Sequence, residues 1–440
     1  MTCSTDQTYE LCCVACGHTT PDFGAWFGAG QRCPACGANR ADLAYSADYA
    51  GLAALLGGHP ASFWHYRDFL PLGRSAAPVT RGEGTPPLER WAFLEDRARR
   101  DFGLDVTVVA ARNDLNGGTG TFKDVAASMA ASLLREWGVD RFVVASTGNI
   151  ATAYATYLAL AGVRLTAFVP RGQNQASVDE IRRLGQAVRV VDGTYADAKQ
   201  AAADFAAAEG VLTSAGNIDP IRVESKRTMV FEFLRQLGRI PDVYVQAVSG
   251  GTGPIAVDKG IRELAGVGVL ADARLPRMVL AQLDTCDPMV QGWERAVAGG
   301  FPDGWEKDYP VIADPQTAVT TLATGNPGMY PILAPIVRRS GGTYVRTPEA
   351  GLVTVARELL AATGLLLGPA SVTCVAGFER ALEQGCVKDG DVIVLNTGEG
   401  ISRAPEFAAR VDGTGEASHA VAHDRRWDHD RRRVLAPLPH

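Results

Sequence analysis

Asn116-Gly-Gly-Thr-Gly-Thr-Phe-Lys123-Asp124 is the stretch around which the rest of the 440-residue chain is organised. A strand-like run, Val106-Thr-Val-Val-Ala-Ala111, leads into it, and an alanine-rich helical pattern from Val125 to Trp137 leads out. The glycines let the backbone turn sharply and approach a ligand closely. Lys123 then sits where a helix begins. A Walker-type phosphate loop needs Gly-Lys followed by Ser or Thr; here Phe122 precedes the lysine and Asp124 follows it, which excludes that chemistry. An amine nucleophile in an apolar setting, of the Schiff-base kind, remains. The plain alternative is a solvated lysine at a helix start, and the rest of the chain decides between them.

The length suits two or three domains with ample core. Apolar content of 46% and charged content of 21% are ordinary for a globular chain. A net charge of -6 gives no electrostatic case for nucleic acid. No apolar run has the length of a membrane span, and the N-terminus lacks the basic and apolar regions of a signal peptide. A cytoplasmic protein is the expectation, with no nucleic-acid or membrane partner. Nine cysteines fit that compartment if some bind metal and the rest stay reduced.

Cys13-Val-Ala-Cys16-Gly and Cys33-Pro-Ala-Cys36-Gly supply the four thiolates that tetrahedral zinc requires. Disulfides or free thiols are the alternatives. Four protein ligands close the site to substrate, so residues 1–43 read as a structural zinc ribbon. Residues 44–105 read as an arm packing on the catalytic domain, because Ser62-Phe-Trp-His-Tyr-Arg-Asp-Phe is too aromatic for a free linker. A two-lobed catalytic region is expected over 106–405, with a smaller lobe at about 126–218. Residues 406–440 read as a polar tail.

From Val106 onward, short β-branched runs alternate with helical patterns. The runs begin at Arg141, Arg164, Ala187, Val243, Arg277 and Asp391; the helices fall around 150–161, 174–184, 195–208, 221–237, 253–265, 349–362 and 371–384. Such alternation predicts an α/β protein with open parallel sheets covered on both faces, whose ligands bind past the carboxyl ends of strands. Polar, glycine-rich turns fall there. Ser146-Thr147-Gly148-Asn149 follows one strand and opens a helix, suiting an anion, although an N-cap alone would need only one of these residues. Ser249-Gly250-Gly251-Thr252-Gly253 offers a run of amides for a phosphate. Asn396-Thr397-Gly398-Glu399 follows the last run, where Thr397 is placed to offer its hydroxyl to a ring nitrogen.

In this order the turns resemble the fold-type II family of pyridoxal-phosphate enzymes, and specifically the threonine synthase group. The family's Gly-Ser-Phe-Lys-Asp stands here as Gly120-Thr-Phe-Lys-Asp124, and its Ser-Gly-Asn-Thr as Thr147-Gly-Asn-Ile150. Asn217-Ile-Asp-Pro-Ile-Arg222-Val-Glu-Ser-Lys226, Gly325-Asn-Pro327 and Gly368-Pro-Ala-Ser371 match later blocks, so the resemblance covers roughly residues 60–405. It implies that Lys123 carries pyridoxal 5′-phosphate and later moves protons, with Phe122 near the ring and Asn149 on its phenolic oxygen. Ser249, Gly250, Gly251, Thr252 and Gly253 would hold the phosphate, and Thr397 would face the pyridine nitrogen. Thr121, Ser146 and Thr147 would bind the substrate's carboxylate or phosphate. Arg222 and Lys226, four residues apart on one helical face, could reach the same anion. The implied reaction converts O-phosphohomoserine to threonine and phosphate, and the family suggests a homodimer.

Threonine synthases usually continue Lys-Asp-Arg, where this chain has Val125; Ile150 and Ser225 also depart from the pattern. The missing arginine leaves an alternative resembling cysteate synthase, in which sulfite or another nucleophile replaces the phosphate of O-phosphoserine. A non-catalytic cofactor or amino-acid sensor is the rival from another class.

Overall fold

The computed structural model describes residues 9–146, 148–172 and 175–413. The chain opens with three short strands, β1 (Tyr9–Cys13), β2 (Thr19–Thr20) and β3 (Ala41–Tyr45), in an antiparallel sheet ordered β2-β1-β3. It then forms β4 (Leu88–Arg90) and β5 (Thr107–Arg112) of a large sheet. A smaller lobe follows, built on β6 (Arg141–Ala145), β7 (Arg164–Pro170), β8 (Ala187–Val191) and β9 (Leu212–Thr213). The chain returns to the large sheet with β10 (Val243–Ala247), β11 (Arg277–Leu283), β12 (Thr343–Thr347) and β13 (Val392–Thr397).

The small sheet, ordered β8-β7-β6-β9, is parallel throughout. The large sheet, ordered β12-β11-β10-β13-β5-β4, is parallel except at its edge, where β4 runs against β5. The large sheet is therefore mixed rather than purely parallel. β4 also lies within residues 44–105, and the helix Ala92–Phe102 after it packs on β5 through Leu94 and Ala98. Every residue of β13 is buried, as its Val-Ile-Val-Leu run requires of a strand covered on both faces.

Three further differences have local causes. Thr343-Tyr-Val-Arg-Thr347 forms β12 although only Tyr344, Val345 and Thr347 are buried, so its apolar signal is short. The helix Tyr330–Arg339 holds Pro335 in its interior, which hides it from a periodicity search. The segment after Ala404 is not all polar tail: Pro405–Asp412 is a helix whose Phe407 and Val411 pack with Leu352 and Ala356. Residues 414–440 lie outside the described residues.

The N-terminal module is fastened to the large lobe by charge as well as by packing. Lys259 pairs with Asp42 and with Glu224 and donates to the Leu43 carbonyl at 2.6 Å. Tyr45 donates to Glu224 at 2.9 Å. Arg227, fully buried on the helix Pro220–Leu237, pairs with Glu224 at 3.0 Å and Glu263 at 2.7 Å and donates to the Phe69 carbonyl. A charge this deep is tolerated only when paired in this way.

Candidate active site

The turns singled out in the sequence lie beyond the carboxyl ends of β5, β6, β10 and β13. The lysine loop follows β5 and is shaped by Asp124, the first residue of the helix Asp124–Glu136. The Asp124 carboxylate accepts from the amides of Thr119 (2.9 Å) and Thr121 (3.1 Å) and from the Thr119 hydroxyl (2.8 Å). Burial nevertheless pushes its pKa up to about 6. Asn116 donates to the Thr121 carbonyl at 2.9 Å and accepts from the Gly84 amide at 3.1 Å. A side chain at Gly117 would run into the Arg81 carbonyl, so glycine is needed there for close backbone approach. Thr121 pairs with Glu399, and Phe122 donates to the Gly398 carbonyl at 2.9 Å. The loop after β13 thereby holds the lysine loop in place. Thr121, with no exposed surface, meets the Thr119 hydroxyl at 3.0 Å; it builds the loop and does not line the cavity.

Lys123 projects into a cavity with an empty volume of about 590 Å³ that opens to solvent. Burial, then the nearby Arg222 charge, draws its pKa down to about 8, while Glu399 pulls the other way. Lys226 is driven well below the ordinary lysine range by burial and by Lys123 and Arg222. Its ammonium donates to the Arg222 carbonyl at 2.9 Å and lies 5.5 Å from the centre of the Phe122 ring. Arg222 donates to Ser214 at 2.8 Å and faces the Tyr154 ring at 5.7 Å; its Nε and the Tyr154 hydroxyl are buried without a partner. The two cations therefore adjoin Lys123 without lining the cavity itself.

Of the other expected residues, Phe122, Asn149, Ser249, Gly250, Gly251 and Thr252 line the cavity. Gly253 sits just behind, where a side chain would strike Gln246 and Phe122. The Ser146 hydroxyl turns back on its own loop, accepting from the Gly148 amide at 3.1 Å. Thr147 lies outside the described residues. Thr397 differs from expectation: fully buried, it donates its hydroxyl to the Ala111 carbonyl at 2.6 Å and does not line the cavity. Successive strand residues face opposite sides, and it is Asn396 that reaches the cavity from the end of β13.

Asn217, Gln246, Thr321, Asn396 and Glu399 also line the cavity and were assigned no role from the sequence. Gln246 and Asn396 carried a usable signal, being amide side chains near the ends of otherwise apolar strands. They are tied together: Asn396 donates to Gln246 at 3.1 Å and to Tyr244 at 2.8 Å, and accepts from Asn113 at 2.8 Å.

These residues fit pyridoxal phosphate. Among the described residues, the amides of Ser249, Gly250 and Gly251 have no protein acceptor. They precede the fifteen-residue helix Thr252–Gly266, whose N-terminal end favours an anion. Gly251 has φ +79°, and a side chain on it would meet Leu333; one on Gly250 would meet Asn217. At the other end of the chain, the sulfurs of Cys13, Cys16, Cys33 and Cys36 lie within 4.8 Å of one another. Gly17 and Gly37, both at positive φ, donate to the Cys13 and Cys33 carbonyls and close the two turns.

Comparison with known proteins agrees with this geometry. The family model described as "Pyridoxal-phosphate dependent enzyme" matches residues 79–398. Threonine synthase of Methanocaldococcus jannaschii is 27% identical over 351 residues, covering 79% of this chain and 82% of that one. Threonine synthase of Synechocystis sp. is 29% identical over 354 residues, covering 79% and 84%. Diaminopropionate ammonia lyase from Escherichia coli, at 16% identity, shares the fold with a TM-score of 0.60 over 77% of this chain and 91% of its own.

Proposed function

We infer the reaction from the chain's family: it belongs to the pyridoxal-phosphate dependent enzymes. Within that family we propose a threonine synthase-like activity, in which O-phosphohomoserine and water give threonine and inorganic phosphate. The observation that carries this is the Lys123 amine, drawn down to about 8 in a cavity that also presents unpaired glycine-loop amides. Similarity to threonine synthases over nearly four-fifths of the chain supports the choice of substrate over the O-phosphoserine and sensor alternatives.

When bound, the cofactor supplies an electron sink for a carbanion at the substrate's α-carbon. The protein's part is to bind, orient and move protons. Ser249–Gly253 hold the cofactor phosphate through backbone amides, and Asn149 donates to an oxygen of the ring. The Lys123 Nζ takes the proton from the substrate Cα and delivers protons later in the cycle; an amine titrating near 8 does both at neutral pH. Arg222, with Lys226 one turn further along the helix, lies behind the cavity wall beside Lys123, where its positive charge stabilises the phosphate as it leaves. Burial of the unpartnered Arg222 Nε is consistent with a donor kept for an anionic ligand. The cysteine cluster holds one structural zinc, with all four positions taken by protein. The enzyme works as a cytoplasmic homodimer on a small phosphorylated amino acid.

The test is phosphate release and threonine formation by purified protein given O-phosphohomoserine. Threonine equal to phosphate, lost in Lys123→Ala, is the expected result. Phosphate released only from O-phosphoserine, and only with sulfite, would overturn the substrate. Full turnover by Lys123→Ala would overturn the mechanism.

A further inference from the structure

Besides Lys123, Glu399 is the one charged side chain lining the cavity among the described residues, and it is only 2% exposed. Its backbone is fixed on two sides. Thr121 pairs with it from the lysine loop, and Ser371 both accepts from its amide (2.9 Å) and donates to its carbonyl (2.8 Å). Its carboxylate is fixed as well. Oε1 accepts from the Ala370 amide at 2.9 Å, in the first turn of the helix Pro369–Glu383. Oε2 accepts from Asn149 Nδ2 at 2.6 Å. Asn149 opens the helix after β6 in the small lobe, whereas Glu399 follows β13 in the large one, so this bond crosses between lobes.

An ionised carboxylate only accepts, so it determines which end of the Asn149 amide faces it. The amide nitrogen points to Glu399 with one of its two N–H groups. Among the described residues, the other makes no hydrogen bond within the protein. A neutral hydroxyl or amide at position 399 would leave the Asn149 amide free to flip and present its oxygen, which an anionic ligand oxygen would repel.

We propose that Glu399 is a positioning residue: it locks the Asn149 amide across the two lobes so that its second N–H meets an anionic oxygen of the bound cofactor. This rests on the assignment of Asn149 to the ring oxygen. Glu399 bonds no ligand atom; its effect on cofactor affinity passes through Asn149. Burial raises the Glu399 pKa, and the Ala370 amide, Asn149 and Lys123 offset part of that rise.

The experiment is a double-mutant cycle on the cofactor-free protein, with pyridoxal 5′-phosphate as the probe and two readouts. These are the dissociation constant and the pH midpoint of the long-wavelength band of the adduct. Glu399→Ala and Asn149→Ala should each weaken binding about tenfold, the scale of one well-placed hydrogen bond. Glu399→Ala should also shift the band's pH midpoint. In an Asn149→Ala background, Glu399→Ala should add nothing to the loss of affinity, since a residue acting through another loses its effect with it, while the part of the midpoint shift that comes from the Glu399 charge beside Lys123 should persist. Glu399→Gln can satisfy only one of its two donors and should fall between; it replaces the alanine variant in the cycle should that fail to fold by circular dichroism. Equal losses from the Glu399 variant in both backgrounds, or none in either, overturn the proposal. Absence of any Lys123-dependent adduct in the unmutated protein would instead overturn the cofactor assignment beneath it.

Discussion

The reactivity of Lys123 should titrate far below that of an ordinary lysine. At a pKa of about 8, the neutral fraction at pH 7 is about 9%; at an ordinary value near 10.4 it would be about 0.04%, roughly 200-fold less. Only the neutral amine attacks an aldehyde, so this ratio passes directly into the rate of cofactor capture. Burial is the main cause, which makes the shift a property of the folded cavity; the Arg222 charge adds to it, and Glu399 offsets part. The assay is stopped-flow absorbance on cofactor-free protein mixed with pyridoxal 5′-phosphate, from about pH 6 to 10, with Lys123→Ala as the blank. The lysine-dependent rate should rise about tenfold per pH unit and level off near pH 8. Arg222→Gln should move the midpoint up, since a positive neighbour has gone; Glu399→Gln should move it down. A midpoint above about 9.5 in the unmutated protein would refute the argument that burial activates this lysine.

Two further outcomes concern the frame around the site. Replacing the fully buried Arg227 with Met leaves Glu224 and Glu263 short of a partner, and should cost about 3–5 kcal/mol in urea unfolding, the range for breaking a buried pair. An effect under about 1 kcal/mol, the scale of a surface pair, would refute the network's role in fastening the N-terminal module. Purified protein should carry about one zinc per chain by elemental analysis. Cys16→Ser should lower that content and move tryptophan emission to the red as Trp26, 1% exposed, loses its cover; unchanged emission after full metal loss would show that the ribbon keeps its packing without metal.

Much of the sheet pattern was legible because buried parallel strands are apolar on both faces. Val243-Tyr-Val and Val392-Ile-Val-Leu have no other plausible place in a chain of this composition. β4 was hidden by its three-residue length at the sheet edge. The site divides in the same way. Lys123, Asn149 and the Ser249–Gly253 turn could be found because turn chemistry is local. Thr397 is a less local matter, because which of two adjacent residues faces a cavity depends on the strand's rotation within the sheet, and here Asn396 lines it while Thr397 bonds the Ala111 carbonyl. Arg222 and Lys226 do share a helix, but their distance from the cavity depends on tertiary packing.

The strand order of the large sheet also has a consequence for synthesis on the ribosome. β5, which carries the lysine loop, pairs on one side with the three-residue β4 and on the other with β13. β13 begins roughly 285 residues after β5, so at ~5–20 residues per second β5 waits on the order of 15–60 s for its long neighbour. The small lobe lies wholly within that interval and has its strands in hand between Arg141 and Thr213. It can therefore fold while the sheet beside it still has an open edge. The nascent chain consequently exposes the apolar run Val108-Val-Ala-Ala111 for much of translation, and the C-terminal strand that completes the cavity is also the one that covers this aggregation-prone edge.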